Sequence, residues 1–354
     1  MYDTKLFLIF LFMFGSIAGS VQKCNERYKG NNHILDRLIQ EQGGDITHKS
    51  FEKKITLLTR VVPNPDPHQY TGHFGVTRSI NNGFRKLNVS FNYNPLLIDE
   101  VGDIVMVLAD VNALQQAIAW KRSGRIKKLL AGPNLVVHSF ENERILASPE
   151  IDVVIVPCWW VKTAYIEEEP RLKGRIKIWY AGVGVTKWIS VKQSLVNQTG
   201  NRQVLIYWKR EPEELMQQVK SLLYTYGWQP LVIEYGTYTL SEFQRFLQHS
   251  SFAIFLSKSE SQGLALAECW SSNVPTLVFD RTMMFDLGRS YSDVSACPYI
   301  CNQTGLAWYT LADLEECLQL IKKKEVSFAP HEWMVNNMSD ECSARLLLHI
   351  IASL

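Results

Sequence analysis

Residues 252–279 read FAIFLSKSESQGLALAECWSSNVPTLVF. Residues 252–256 are apolar throughout, as a strand buried on both faces is. A polar loop, Ser257-Lys258-Ser259-Glu260-Ser261-Gln262, then delivers the chain to Gly263. A helix begins there, and its first turns, residues 264–267, are apolar on every side, the mark of a buried helix. Asn273-Val274-Pro275 closes it before a second apolar run at 276–279. The stretch is strand, loop, helix, strand, the unit from which parallel α/β sheets are assembled. Glu268 does not fit this pattern. On the second turn of a buried helix an ionised carboxylate is costly unless something pairs with it. Either the helix turns Glu268 to water, or a ligand meets it.

The same alternation runs outward in both directions. Strands are predicted at 55–62, 89–93, 104–108, 129–137, 152–156 and 175–180. A helix follows Gly72-His73-Phe74-Gly75 with Val76, Ile80, Phe84 and Leu87 on one face. Further helices are predicted over 112–121 and around Trp160-Val161-Lys162. After a polar segment at 190–202 a second series begins. It has a strand at 204–207, a helix opened by Pro212 and ended by Gly227, and a strand at 231–234. Thr239-Leu240-Ser241-Glu242 then has capping-box spacing for the next helix. A last helix over 340–352 carries Ala344, Leu347, Leu348 and Ile351 on its apolar side. The predicted fold is α/β, with two Rossmann-like, doubly wound parallel-sheet domains at 50–187 and 188–330 and a terminal helical segment at 331–354. At 354 residues the chain has room for both cores. Two such domains face one another across a cleft, and ligands of such sheets bind at the carboxyl ends of the strands.

Composition excludes little, but it does narrow the partners. With 20% charged residues and a net charge of +2, and no basic run interleaved with aromatics, the chain gives no reason to expect nucleic acid. Seven cysteines are sparse and odd in number. Cys297 and Cys301 have no second pair or histidine cluster to complete a zinc set, and Cys158 and Cys269 read as buried thiols. Residues 6–19, LFLIFLFMFGSIAG, have the length of a signal-peptide core and are short for a spanning helix. Ala18-Gly19-Ser20 offers a cleavage site, whereas Lys23, Arg27 and Lys29 after the run favour a retained anchor. Residues 1–20 are therefore a signal peptide or a short membrane anchor. The catalytic part is expected to be membrane-associated or in the secretory pathway, or cytoplasmic if the source is bacterial.

The chemistry gathers around the opening stretch. A helix N-terminus at Gly263 favours an anion, phosphate above all, and glycine lets that anion approach the backbone. A carboxylate one turn further in is placed to accept two hydrogen bonds from a ribose diol. Together these suggest a nucleoside diphosphate, and the alternative is a plain βαβ turn with a solvent-facing glutamate. Lys209 and Arg210 are the basic residues after the first strand of the second domain. His138 closes the predicted strand segment Leu135-Val136-Val137. Gly182-Val183-Gly184-Val185-Thr186-Lys187 lacks the frame of a phosphate loop, and no Asp-x-Asp occurs.

Glu260 and Glu268, with Ser-Glu-Ser-Gln-Gly-Leu-Ala-Leu-Ala-Glu-Cys-Trp and Asn-Val-Pro-Thr-Leu around them, resemble the Glu-x7-Glu element of the retaining GT-B glycosyltransferases. Ile155-Val156-Pro157-Cys158-Trp159-Trp160-Val161-Lys162 with residues 178–183, and Gln303-Thr304-Gly305-Leu306-Ala307, are similar to further segments of that family. So is the last helix preceded by His331-Glu332-Trp333. The resemblance spans residues 55–354, and it departs at Gly184, where the family has an aspartate, and in the spacing of Lys209 and Arg210. It implies a hexosyltransferase-like enzyme that moves a sugar from a nucleotide-sugar donor to a glycan or lipid-linked acceptor. It further implies retention, no metal and no other cofactor, an acceptor-side first domain, a donor-side second domain and a terminal helix that crosses back. Glu268 would hold the ribose, Gly263 and Leu264 amides with Lys209 or Arg210 the diphosphate, and Glu260 and His138 the donor sugar. A non-catalytic accessory module of the same fold and a sugar-nucleotide epimerase are the alternatives.

Overall fold

The computed structural model describes residues 26–42, 54–61, 72–188 and 202–354. The predicted N-terminal apolar segment, Cys24 and most of the 190–202 linker lie outside these residues. The chain divides into two compact units. One comprises Leu35–Gly184 with Val335–Leu354, the other Val185–Met334 with the N-terminal stretch through Ile34.

The first unit opens with α1 (Ile34–Gln42) and is built on six strands, β1 (Ile55–Thr59), β2 (Phe91–Tyr93), β3 (Ile104–Leu108), β4 (Lys128–Ala131), β5 (Val153–Val156) and β6 (Ile176–Ile178). They form one parallel sheet in the order β2-β1-β3-β4-β5-β6. Strands β1, β3 and β5 are buried along their whole length, which is why they read as unbroken apolar runs. Helices α2 (Gly72–Lys86), α3 (Val111–Arg122) and α4 (Trp159–Glu168) connect them. Edge strand β6 is closed by a side chain. The Gln42 amide donates to the Ile178 carbonyl at 2.9 Å and accepts from its N–H at 2.8 Å, as a neighbouring strand would.

One strand differs from expectation. β4 stops at Ala131 rather than continuing to Val137. Gly132 and Asn134 take left-handed φ angles of 105° and 66°, and Pro133 between them has no N–H to give a ladder. His138 therefore sits in the loop after β4, not at a strand end.

The second unit holds β7 (Gln203–Lys209), α5 (Glu213–Thr225), β8 (Gln229–Glu234), α6 (Leu240–His249), β9 (Phe252–Ser257), α7 (Leu264–Ser271) and β10 (Thr276–Phe279). A hairpin of β11 (Met283–Asp286) and β12 (Arg289–Ser292) follows, then β13 (Gly305–Trp308) and α8 (Leu311–Lys323). Five strands make a parallel sheet ordered β13-β10-β9-β7-β8, and the hairpin stands apart from it. The Thr239 capping box forms as its spacing predicts. Gly305 is required where β13 meets β10, since a Cβ there would fall 2.0 Å from the Thr276 carbonyl oxygen. Neither α1 nor the segment before it is among the elements expected from the sequence, which begin at residue 55. Tyr28 and Asn31 are buried in this unit, the Asn31 amide donating to the carbonyls of Pro298 and Ile300 at 3.0 Å each.

The chain ends in α9 (Pro330–Asn337) and α10 (Asp340–Ala352). In the second unit His331 Nδ1 meets the Ser271 carbonyl at 2.7 Å, and Trp333 packs edge-on against Trp270 at 5.5 Å. In the first unit α10 lies on α2. Its buried stripe takes in Leu346 and Ile350 besides the predicted Ala344, Leu347 and Ile351, while Leu348 is only half-buried. The Trp179 indole donates to the Ser343 carbonyl at 2.8 Å.

Candidate functional site

In the second unit the chain runs from β7 outward to β8, then back to β9 on the other side of β7. The point where strand order reverses lies between β7 and β9, and it opens at their carboxyl ends. Lys209 and Ser257 are the last residues of these two strands and are partners in register. Glu260 follows three residues on and joins them. Its Oε1 accepts from Lys209 Nζ at 2.7 Å and from Ser257 Oγ at 2.8 Å, and its backbone N–H donates to the Ser295 carbonyl at 3.0 Å. The Lys209 ammonium also sits 4.6 Å from the centre of the Tyr235 ring, a favourable cation–π distance. Arg210, the other basic candidate, is exposed with a left-handed φ of 61°.

Gly263 is buried and left-handed, with φ 76°, and it starts α7 without a side chain to cap it. A Cβ there would meet only the flexible end of Leu266, at 2.9 Å, so it is the left-handed φ that favours glycine. Leu264 is the first residue of the helix. Glu268, on its second turn, is 3% exposed, which removes the solvent-facing alternative. Tyr238 lies close enough for the charge of Glu268 to act on its phenol.

That phenol belongs to an aromatic cluster which the sequence reading did not single out. Tyr238 donates to the Tyr207 hydroxyl at 3.2 Å, and Tyr207 stacks on Phe255 with ring centres 4.6 Å apart. Burial pushes the Tyr207 phenol well up, and Tyr238 and Glu260 beside it add to the effect. Burial does the same to Tyr238, with Glu268 adding to it against the bond to Tyr207. Both therefore stay hydroxyls at neutral pH. A cavity of about 360 Å³ borders Tyr238, Trp208, Ile233 and Phe246. The available signal was Tyr235-Gly236-Thr237-Tyr238, a glycine-containing loop with two aromatics at the carboxyl end of a strand.

At the same carboxyl end of the sheet Glu211 is buried and takes two bonds from Arg281, at 3.1 and 2.6 Å. Asp280 is buried as well. It accepts from the Tyr28 hydroxyl, from Ser295 Oγ at 3.1 Å and from the Ala296 amide at 2.7 Å, and burial raises its pKa against those bonds.

In the first unit His138 is buried with Nδ1 2.7 Å from Glu168 Oε1, and Ser139 donates to Glu168 Oε2 through its amide at 2.6 Å and its hydroxyl at 2.9 Å. A buried carboxylate against Nδ1 fixes the tautomer and orientation of the imidazole. Glu168 was not foreseen, because nothing in the sequence marks which of three successive glutamates meets the His138 loop, and Glu169 is buried as well. Of the residues expected to act together, Lys209, Glu260, Gly263, Leu264 and Glu268 share the second unit, and His138 belongs to the first.

No family model matches the sequence, and no curated protein does. Solved structures do match. The lipopolysaccharide outer core galactosyltransferase WaaB aligns with a TM-score of 0.56 at 12% identity, over 85% of this chain and 99% of that one. Sucrose-phosphate synthase from Thermosynechococcus elongatus aligns at 0.53 and 12%, over 85% and 98%. An alpha-glucosyltransferase in complex with UDP and a 13-mer DNA aligns at 0.51 and 10%, over 85% and 100%. Across nearly the whole length of each of these glycosyltransferases, the chain shares their GT-B fold of two units on parallel sheets.

Proposed function

We propose that the chain is a glycosyltransferase which moves a sugar from a nucleoside diphosphate sugar to a glycan or lipid-linked acceptor, with retention and without a metal ion. The observation that carries this reading is Glu268. It is a carboxylate buried one turn inside a helix that starts on a left-handed glycine beside a strand switch point. A ribose diol supplies two donors to such a group, and the helix N-terminus with Lys209 or Arg210 meets the diphosphate. These positive groups would stabilise the leaving diphosphate electrostatically. Tyr235 and Tyr238 flank the place left for a base. Glu260 orients the donor sugar, and Lys209 and Ser257 fix its carboxylate. The Glu168-held imidazole of His138 is proposed to act on sugar hydroxyls.

Calorimetric titration and thermal shift with UDP, GDP, ADP and their sugars test the reading, because a ligand of the native state raises the melting temperature with its affinity. UDP comes first, since one structural neighbour was solved with it. No shift with any nucleotide sinks the proposal. Binding without slow donor hydrolysis, with or without acceptor mixtures, favours an accessory module instead.

A further inference from the structure

The β11–β12 hairpin is a ribbon outside the five-stranded sheet. Its turn places Leu287 and Gly288 at φ 45° and 76°, as two-residue hairpin loops require. Side chains alternate across such a ribbon. Met284 and Tyr291 are direct cross-strand partners on its inner face. The Met284 sulfur lies 3.6 Å from Ser259 Oγ, in the loop that carries Glu260, and Tyr291 is 4% exposed. Met283, Phe285 and Leu287 alternate with these residues, and they are 64%, 74% and 68% exposed. Single exposed apolar residues mean little, but two on the outer face of a ribbon and a third in its turn form a patch.

The N-terminal chain is attached at the base of the same ribbon. Arg27 donates to the carbonyls of Asp293 and Val294 at 2.8 and 3.4 Å, directly after β12, and Tyr28 bonds to Ser295 and Asp280. The apolar run at 6–19 ends fewer than ten residues before Arg27, a reach of at most about 30 Å. As a retained anchor, the run holds the ribbon's base within this distance of the bilayer. A second copy of the chain is a poorer occupant. Three side chains offer roughly 400 Å², about half of what one partner gives to a stable interface.

We propose that the outer face of the ribbon is a lipid-contact surface. Met283, Phe285 and Leu287 enter the interfacial layer of a bilayer, and the attachment of Arg27 brings the N-terminal run to the same layer. Apolar side chains on a polar scaffold bind at that depth without spanning it.

The test uses the full chain carrying Cys24→Ser and one labelled cysteine, Phe285→Cys on the ribbon or Tyr224→Cys on the exposed side of α5. The other cysteines are buried. Phosphatidylcholine–phosphatidylglycerol vesicles with brominated acyl chains should shift the emission of the 285 label to the blue and quench it, leaving the 224 label unchanged. An unquenched 285 label in vesicle-bound chain overturns the proposal, even where the N-terminal run itself inserts, and so does failure to bind vesicles. A 285 label already shielded before lipid is added also overturns it, since a second copy or the N-terminal run then covers the face.

Discussion

Lys209 Nζ and Glu260 Oε1 lie 2.7 Å apart, so the residue proposed for the diphosphate and the residue proposed for the sugar hold each other in the free protein. The pair is mostly buried, with 19% and 16% of the two side chains exposed. An arriving diphosphate must then compete with Glu260 for the ammonium. Removing Lys209 takes away a charge-assisted bond worth about 1.5–3 kcal/mol. Lys209→Met should therefore weaken nucleoside diphosphate binding about tenfold or more, as read by calorimetry. Equal affinity in the folded variant would leave Arg210 as the basic contact.

Close packing of α10 on α2 yields a stability prediction. A Cβ on Gly83 would fall 2.3 Å from the Asp340 carbonyl oxygen and 2.6 Å from Ala344 Cβ. Backbone cannot yield as a flexible side chain does, so Gly83→Ala should cost about 1–3 kcal/mol or more. Gly72, at the open start of the same helix, has nothing within 4 Å of a built Cβ, and Gly72→Ala should stay within about 0.5 kcal/mol of the parent. Urea midpoints of the two variants should separate clearly. Indistinguishable midpoints would mean that α10 is not seated on α2 as described.

The acid limb of stability should depend on Glu169. Arg171, assisted by Arg144 and opposed by burial, lowers its carboxyl from 4.5 to about 2. A depressed acid pKa adds stability above the unfolded value, and that stability is lost as pH falls from 4.5 towards 2. Both arginines are about half exposed, at 48% and 61%, and solvent screening holds the contribution to about 1 kcal/mol. Glu169→Gln should therefore be less stable than the parent at pH 7 and equal to it at the acid end. A difference that is constant over the whole range would count against the pairing.

Most of the fold was legible because its strands are buried on both faces and its helices carry their own start and stop signals. Residues 252–256 and 104–108 could be little else than strands, and Thr239 with Glu242 announced a helix. Tertiary relations were not legible. Lys209 and Glu260 are far apart in sequence, and only the register of β7 against β9 brings them together. The run through Val137 looked like strand because Leu135-Val136-Val137 is apolar and its valines are β-branched, yet Gly132 and Pro133 had already ended the ladder. Asn31 and Tyr28 gave no periodic signal, since their roles rest on side-chain hydrogen bonds to groups distant in sequence, two carbonyls for Asn31 and the Asp280 carboxylate with the Ser295 hydroxyl for Tyr28. The burial of Glu268 was the question the sequence posed, and only packing could answer it.

Catalysis is proposed to need no divalent ion. The sequence has no Asp-x-Asp, and Lys209 with the amide end of α7 supplies positive charge at the switch point. Turnover measured after dialysis against EDTA should equal turnover before it. A complete loss restored by magnesium or manganese would assign the diphosphate chemistry to a metal instead.

Glu268→Gln and Glu260→Gln should fail in different ways. Glu268 is buried on α7 behind Gly263 and is proposed to hold the ribose, so its charge would serve the nucleoside and not the sugar. Replacing it with the amide removes charge-assisted bonds of about 1.5–3 kcal/mol each. The donor and the free nucleoside diphosphate should then weaken together, by about tenfold or more. Glu260 instead has Lys209 and Ser257 on one oxygen, and Glu260→Gln relieves the competition for Lys209. Nucleoside diphosphate affinity should therefore be unchanged or tighter in that variant, while turnover of the complete donor falls. Burial complicates the first variant, because an amide in a site built for a carboxylate can destabilise the helix. Melting temperatures without ligand must therefore accompany the titrations. Unchanged nucleotide affinity in a folded Glu268→Gln protein would falsify the ribose assignment and leave Glu268 a structural carboxylate of α7.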